Sequence, residues 1–316
     1  MTSHTMRAIR QDTLGTPEVL KEEELPVPEP GPGQIRVRAR AAGVNPTDWK
    51  HRESGLFLGE PPFVLGWDVS GVVDEVGFGT TLFRPGDEVF GMVPYPFGVG
   101  THAEYVVGPT RAFAFKPSEV DHVTAGAVPL AALTAWQALV DTAGLGDGDR
   151  VLVHAAAGGV GHLAVQIAKA RGAHVIGTAS EPKHEFVRSL GADEVVDYRT
   201  ADVGEAAQGV DVVLDAVGGA DQIETSVRAL RPGGTIVTLL PFDAPDAKAR
   251  AEAQGSRVVN MLVEHDHQGM RSIAALVARG ALRPTIAETF PLARAARAHE
   301  IGERGHTTGK LVLTID

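Results

Sequence analysis

The chain contains no cysteine among its 316 residues. That excludes disulfides, thiol nucleophiles, cysteine-ligated zinc and iron–sulfur clusters. Positive charge is also in deficit, with 29 Lys and Arg against 40 Asp and Glu and a net charge of −11. With no run of basic residues, binding to nucleic acid or an anionic membrane surface is not expected, and the partner is expected to be a small molecule. No stretch approaches the roughly 20 apolar residues of a membrane span, and Met1 to Arg10 lacks an apolar signal core. The expected location is cytoplasmic. No Gly-x-Ser-x-Gly elbow is present to support a serine hydrolase. The 12 histidines show no metal-ligand spacing outside Glu264-His265-Asp266-His267, which reads as an exposed loop after a strand. No metal site is expected.

What is present centres on residues 150–180. Val151, Leu152 and Val153 form a short β-rich run; Leu163, Val165, Ile167 and Ala168 give the following turns an apolar face; Val175 and Ile176 begin a second strand. Between the first strand and the helix lies Ala156-Ala157-Gly158-Gly159-Val160-Gly161, the dinucleotide fingerprint with alanine in its first position. Gly158 permits close approach of a pyrophosphate, Gly161 lets the helix pack on the sheet, and the helix N-terminus offers N–H groups and a positive dipole end to an anion. A glycine-rich turn without a ligand is the weaker reading, because strand, turn and uncharged helix start all coincide here.

The end of the second strand separates NAD from NADP. An NAD site usually carries an acid about 20 residues on, to bond the ribose 2′-hydroxyl. Here the strand ends Gly177-Thr178-Ala179-Ser180 with Lys183 close behind, so a 2′-phosphate would meet hydroxyls and a cation. Glu181 falls near the expected spacing, but with Pro182 it fits the first turn of a helix. The sequence favours NADPH.

Length and pattern predict two domains. From Met6 to about Pro117 short strands alternate with proline and glycine, as in Gln34–Ala42, where Ile35, Val37, Ala39 and Ala41 alternate with Arg36, Arg38 and Arg40. Further strands are expected at Trp67–Val76, Glu88–Val93 and His102–Val107, giving a β-rich, barrel-like domain. Asn45-Pro46-Thr47-Asp48 reads as a helix start. Ala131–Thr142 is expected as one helix ending at Gly144. Six strands at about 150–154, 174–179, 194–198, 211–217, 235–239 and 257–263, separated by helical patterns, predict a doubly wound parallel sheet in an α/β domain. Helices around Ile273–Ala278 and Ala293–Ile301 precede a last strand, Lys310–Ile315, that could return to the first domain. The expected boundaries are 1–120, 121–266 and 267–316.

Ala-Gly-Val-Asn-Pro-Thr-Asp-Trp-Lys at 42–50, Gly-Trp-Asp-Val-Ser-Gly-Val-Val at 66–73, Arg-Pro-Gly-Asp-Glu-Val at 84–89, Ala-Glu-Tyr at 103–105, Leu-Thr-Ala-Trp-Gln-Ala-Leu at 133–139 and the fingerprint occur in an order that spans nearly the whole chain. This series resembles the zinc-free quinone oxidoreductase branch of the medium-chain dehydrogenase/reductase superfamily. The resemblance implies a GroES-like catalytic domain with an inserted Rossmann domain, and a homodimer. It implies Asn45 near the nicotinamide or substrate, Thr134 near the carboxamide, Ser180, Lys183 and Tyr198 around the 2′-phosphate, and Val217, Gly218 and Leu239 along the cofactor. Leu240-Pro241 departs from the glycine that relatives often carry there.

Zinc enzymes of the superfamily place a cysteine and a histidine where this chain has Asn45 and Trp67, so Lewis-acid polarisation of an alcohol by that route is lost. What the resemblance then implies is hydride transfer from NADPH to a quinone or an α,β-unsaturated carbonyl. Lys50 and Phe57 stand where quinone reductases often have tyrosines, and Asn-Pro-x-Asp-Trp-Lys is similar to the alkenal/enone reductases. Lys50 could stabilise enolate charge and Tyr95 could donate a proton or hydrogen bond. Alternatively, Lys50 reads as a solvated helix lysine and Tyr95 as a loop packing residue. An enoyl reductase of a secondary-metabolite pathway and a non-catalytic NADPH-binding protein are the alternative functions.

Overall fold

The computed structural model describes residues 4–98 and 100–316. Along the chain come β1 (Thr5–Gln11), β2 (Lys21–Pro26), β3 (Gln34–Val44), α1 (Pro46–Ser54), β4 (Phe63–Val64), β5 (Asp68–Val76), β6 (Glu88–Met92), β7 (Tyr105–Pro109) and β8 (Phe113–Phe115). Next are α2 (His122–Gly126), α3 (Pro129–Trp136), β9 (Arg150–Val153), α4 (Gly161–Ala170), β10 (His174–Thr178), α5 (His184–Ser189), β11 (Glu194–Val196), α6 (Val203–Ala206) and β12 (Val210–Asp215). Then follow α7 (Ala220–Ala229), β13 (Leu230–Thr238), α8 (Pro245–Ala253), β14 (Arg257–Asn260), α9 (His267–Ala278), β15 (Ile286–Pro291), α10 (Ala295–Glu303) and β16 (Lys310–Thr314).

Two compact units result: the chain up to Leu133 with Glu264–Asp316, and Thr134–Val263. The first boundary falls later than 120/121 because residues after 121 pack on the β-rich unit. Ala127 joins Ala41 and Val312 in one buried cluster, and a Cβ at Gly126 would sit 2.9 Å from the Ala41 Cβ.

In the β-rich unit, β3 is the organising strand. Its alternation buries Ile35, Val37, Ala39 and Ala41 and turns Arg36, Arg38 and Arg40 toward the other face. One edge of β3 pairs with β5, while the other pairs first with β7 and then, over Ala41–Val44, with β16. The last strand thus returns to the first domain and lays Lys310 beside the end of β3. Residues 102–104 are loop rather than strand, touching β1 by a single bridge at Ala8 and Ala103, and the strand runs from Tyr105 to Pro109 instead.

The second unit is a parallel six-stranded sheet in the order β11-β10-β9-β12-β13-β14. This 3-2-1-4-5-6 arrangement reverses direction at β9, the switch point where ligands bind in open α/β sheets. Val151, Leu152 and Val153 are fully buried because helices cover both faces. α4 presses Leu163, Ala164, Val165, Ile167 and Ala168 inward. β14 ends at Asn260, short of the expected 263. The helix expected over 131–142 starts at Pro129 and widens after Trp136 into π-type turns, with the Ala143 N–H bonding the Ala138 carbonyl at 3.1 Å.

Candidate functional site

At the C-terminal end of β9 the chain turns through Ala155, held at a φ of 51°. A non-glycine residue in this left-handed region costs on the order of 1 kcal/mol. Two bonds hold the turn: Ala155 N–H donates to Thr178 Oγ1 at 3.1 Å and Ala156 N–H to the Thr178 carbonyl at 2.9 Å. Thr178, read from sequence as a cofactor residue, therefore spends its hydroxyl on the turn. A Cβ at Gly161 would lie 2.2 Å from the Ala155 carbonyl oxygen, so only glycine lets α4 start this close to the strand. The N–H groups of Gly159 and Val160 have no acceptor among the described residues. Orphaned donors at the N-terminus of a ten-residue helix fit a pyrophosphate. Ala157, Gly158, Gly159, Val160 and Gly161 form this turn together.

The neighbouring parallel strands β10 and β11 bring two more groups side by side, since Thr178 pairs with Val196. Ser180 and Lys183 follow the end of β10; Tyr198 follows β11 and is 54% exposed. Arg199, missed in the sequence, stacks its guanidinium over the Tyr198 ring at 5.7 Å and adds a second cation. On the far side of β9, Asp215 at the end of β12 was missed too. Its carboxylate accepts from the N–H groups of Val217 (2.9 Å) and Gly218 (3.0 Å) and from Thr238 Oγ1 (3.0 Å), while its carbonyl accepts from Leu239 N–H. This one acid sets the backbone of Val217, Gly218 and Leu239. Gly218 has a φ of 77°, and a Cβ there would meet Leu240. Thr134 is buried in α3.

In the β-rich unit Asn45 joins β3 to α1 and is 1% exposed. Its Nδ2 donates to Asp68 Oδ2 at 2.8 Å, and the Lys310 ammonium donates to its Oδ1. Lys310, itself buried, lies 3.7 Å from Asp68, whose other oxygen accepts the Leu130 N–H at 2.6 Å. The carboxamide orientation is thereby fixed by a buried ion pair, which keeps either charge from standing alone in the interior. Burial pushes the Asp68 carboxyl up and the Lys310 ammonium down, each opposed by the other's charge. Asp48, one helical turn into α1, accepts the Asn45 N–H at 2.6 Å. Burial, and then the charge of Asp68, push its carboxyl up to about 8. It is therefore protonated at neutral pH.

Next to this network four rings gather. Trp67, at one place where zinc relatives carry a ligand, donates its indole N–H to the Phe97 carbonyl at 2.9 Å. Its ring lies 5.1 Å from that of Tyr95 and 4.9 Å from that of His51, with Phe57 6.4 Å from Tyr95. Thr47 Oγ1 bonds Tyr95 Oη at 3.1 Å. Lys50 is exposed on α1. The structure thus brings Asn45 and Tyr95 into bonded networks and leaves the Lys50 ammonium in solvent. In the Glu264–His267 segment Asp266 caps α9 through the N–H groups of Gln268 and Gly269, and His267 Nδ1 lies 2.8 Å from the Phe113 carbonyl oxygen. Among the described residues no group of three or more His, Cys, Asp or Glu is placed to hold a metal ion, and no helix is long and apolar enough to cross a membrane.

Comparison with known proteins gives the same architecture a family. An alcohol dehydrogenase GroES-like domain model matches residues 31–118 and a zinc-binding dehydrogenase model matches 190–313. The human mitochondrial NAD(P)H oxidoreductase RTN4IP1 is 38% identical over 283 residues, covering 81% of this chain and 71% of that protein. A chloroplast envelope quinone oxidoreductase homolog of Arabidopsis thaliana is 34% identical, with 99% of each covered. The solved quinone oxidoreductase of Coxiella burnetii superposes with a TM-score of 0.91 at 36% identity, covering 99% of this chain and all of that one. With buried Asn45 and Trp67 at the two positions where its zinc enzymes bind metal, this chain belongs to the medium-chain dehydrogenase/reductase superfamily, in its quinone oxidoreductase branch.

Proposed function

We propose that the protein reduces a quinone or an α,β-unsaturated carbonyl by direct hydride transfer from NADPH, without zinc. The observation that carries this reading is the pair of orphaned N–H groups of Gly159 and Val160 where β9 meets α4. Bound there, a nicotinamide dinucleotide supplies the hydride. The chain supplies the rest. The β9–α4 turn holds the pyrophosphate, and Asp215 holds the strand ends that run along the cofactor. Tyr95 donates to the acceptor oxygen, Asn45 orients the reacting groups, and Lys50 adds a solvent-screened positive charge. In this reading the protein works as a cytoplasmic homodimer, with the open edge at β14 and the exposed Leu262 as its contact surface.

Preference for NADPH over NADH rests on Ser180, Lys183, Tyr198 and Arg199 at the ends of β10 and β11. An ammonium on a 2′-phosphate is a charge-assisted bond of about 1.5–3 kcal/mol. Lys183→Ala is therefore expected to weaken NADPH binding roughly 10- to 100-fold and leave NADH binding nearly unchanged. Fluorescence titration of both cofactors measures it. Tighter NADH than NADPH binding by the unaltered protein would remove the 2′-phosphate reading.

A further inference from the structure

A phenol can donate or accept, and its neighbours decide which. His51 is buried, and desolvation holds its imidazole below the ordinary range, against the charged form. Its Nδ1 lies 2.7 Å from the main-chain carbonyl oxygen of Thr47. That oxygen only accepts, so Nδ1 carries the hydrogen and the tautomer is fixed. The Thr47 hydroxyl, 3.1 Å from the same Nδ1, faces a donor there and cannot give its own hydrogen to it. Its remaining partner among the described residues is Tyr95 Oη, 3.1 Å away. Tyr95 thus accepts from Thr47, and among the described residues nothing takes its own hydrogen. Edge-on contacts from Trp67, His51 and Phe57, with interplanar angles of 84°, 81° and 88°, restrain the phenol ring.

We propose that Thr47 and His51 are positioning residues that commit the Tyr95 hydroxyl to donate to the carbonyl oxygen of a bound quinone or enone. The inference rests on the assignment of Tyr95 above. No bond to carbon is made or broken by these residues. They ensure that the oxygen on which charge develops meets an O–H rather than a lone pair. The buried Nε2 of His51, without a hydrogen-bond partner among the described residues, is the cost of this fixed tautomer.

The test is a double-substitution cycle combined with a tyrosine titration. The chain has three tyrosines, so phenolate absorbance in a Tyr105→Phe/Tyr198→Phe background reports Tyr95 alone. Burial already holds this phenol above the usual tyrosine range, with the Thr47 bond opposing. Thr47→Val is expected to move its titration further up and to lower kcat about tenfold with KM little changed. Thr47→Ser should restore both. In a Tyr95→Phe background Thr47→Val should cost nothing further, which a merely structural role would not produce. An unmoved Tyr95 titration, or an equal loss in both backgrounds, would overturn the proposal. A Tyr95→Phe enzyme as fast as the original would instead overturn the assignment of Tyr95.

Discussion

Asp48→Asn is expected to stabilise the protein at pH 8 while leaving its stability near pH 4 almost unchanged. Asp48 is fully buried, and its carboxyl, pushed up to about 8, keeps its proton through neutrality. In the unfolded chain an aspartate loses its proton near 3.9. A folded-state value raised above the unfolded one gives stability that is complete below the unfolded value and is lost as pH rises toward the folded one. Between about pH 4 and pH 8 the native protein therefore loses up to about 1.4 kcal/mol per pH unit through this one group. Asparagine has no proton to lose. It keeps an oxygen for the Asn45 N–H and places an NH2 where the protonated acid has its O–H, at the Oδ1 that lacks a partner among the described residues. The gain at pH 8 is about 5 kcal/mol, read by chemical denaturation at several pH values. Parallel stability profiles for the two proteins would mean that Asp48 is ionised in the fold.

Tyr95→Phe is the largest expected loss of activity. The phenol is half-buried, accepts the Thr47 hydroxyl and is packed edge-on against Trp67. Removing one donor aimed at a developing oxyanion typically lowers kcat about 100-fold or more. On enones we expect a kcat loss of about 100-fold, with NADPH affinity unchanged and a stability cost of only about 1 kcal/mol for the lost Thr47 bond. Because burial raises the titration of this phenol, the donor stays protonated through neutral and mildly alkaline pH. The rate on enones should accordingly show no inflection from Tyr95 across that range. Steady-state kinetics on a short enone, with cofactor affinity measured separately, check each part; an unchanged kcat removes Tyr95 from the chemistry.

The Rossmann half was legible in the sequence because parallel strands covered on both faces read as unbroken apolar runs, as in Val151-Leu152-Val153 and Val212-Val213-Leu214. The glycines of the β9–α4 turn were legible because sterics leaves no alternative at Gly161. The β-rich unit was harder. β2, Lys-Glu-Glu-Glu-Leu-Pro, is an exposed edge strand with no buried position to mark a face, and β8 is only three residues long. Within the site, Asn45 stood out, but its partners did not. Lys310 lies 265 residues away and reaches it only through the pairing of β16 with β3, a register that no local pattern encodes. Asp48 and Asp68 read as ordinary acids because nothing local announces that they are buried. Lys50 shares α1 with Thr47 and His51, yet at about 100° per residue it falls on the other side of Thr47 from His51 and lies exposed. Arg199 had a usable signal, a cation beside Tyr198 just past a strand that pairs with the one ending before Ser180.

The most direct test of the hydride-transfer reading is NADPH oxidation, followed by loss of its near-ultraviolet absorbance, with simple quinones paired against short 2-alkenals and enones. The predicted result is turnover with NADPH on at least one of the two classes, retained after dialysis against a metal chelator. NADPH binding without oxidation in the presence of any of these acceptors would contradict it.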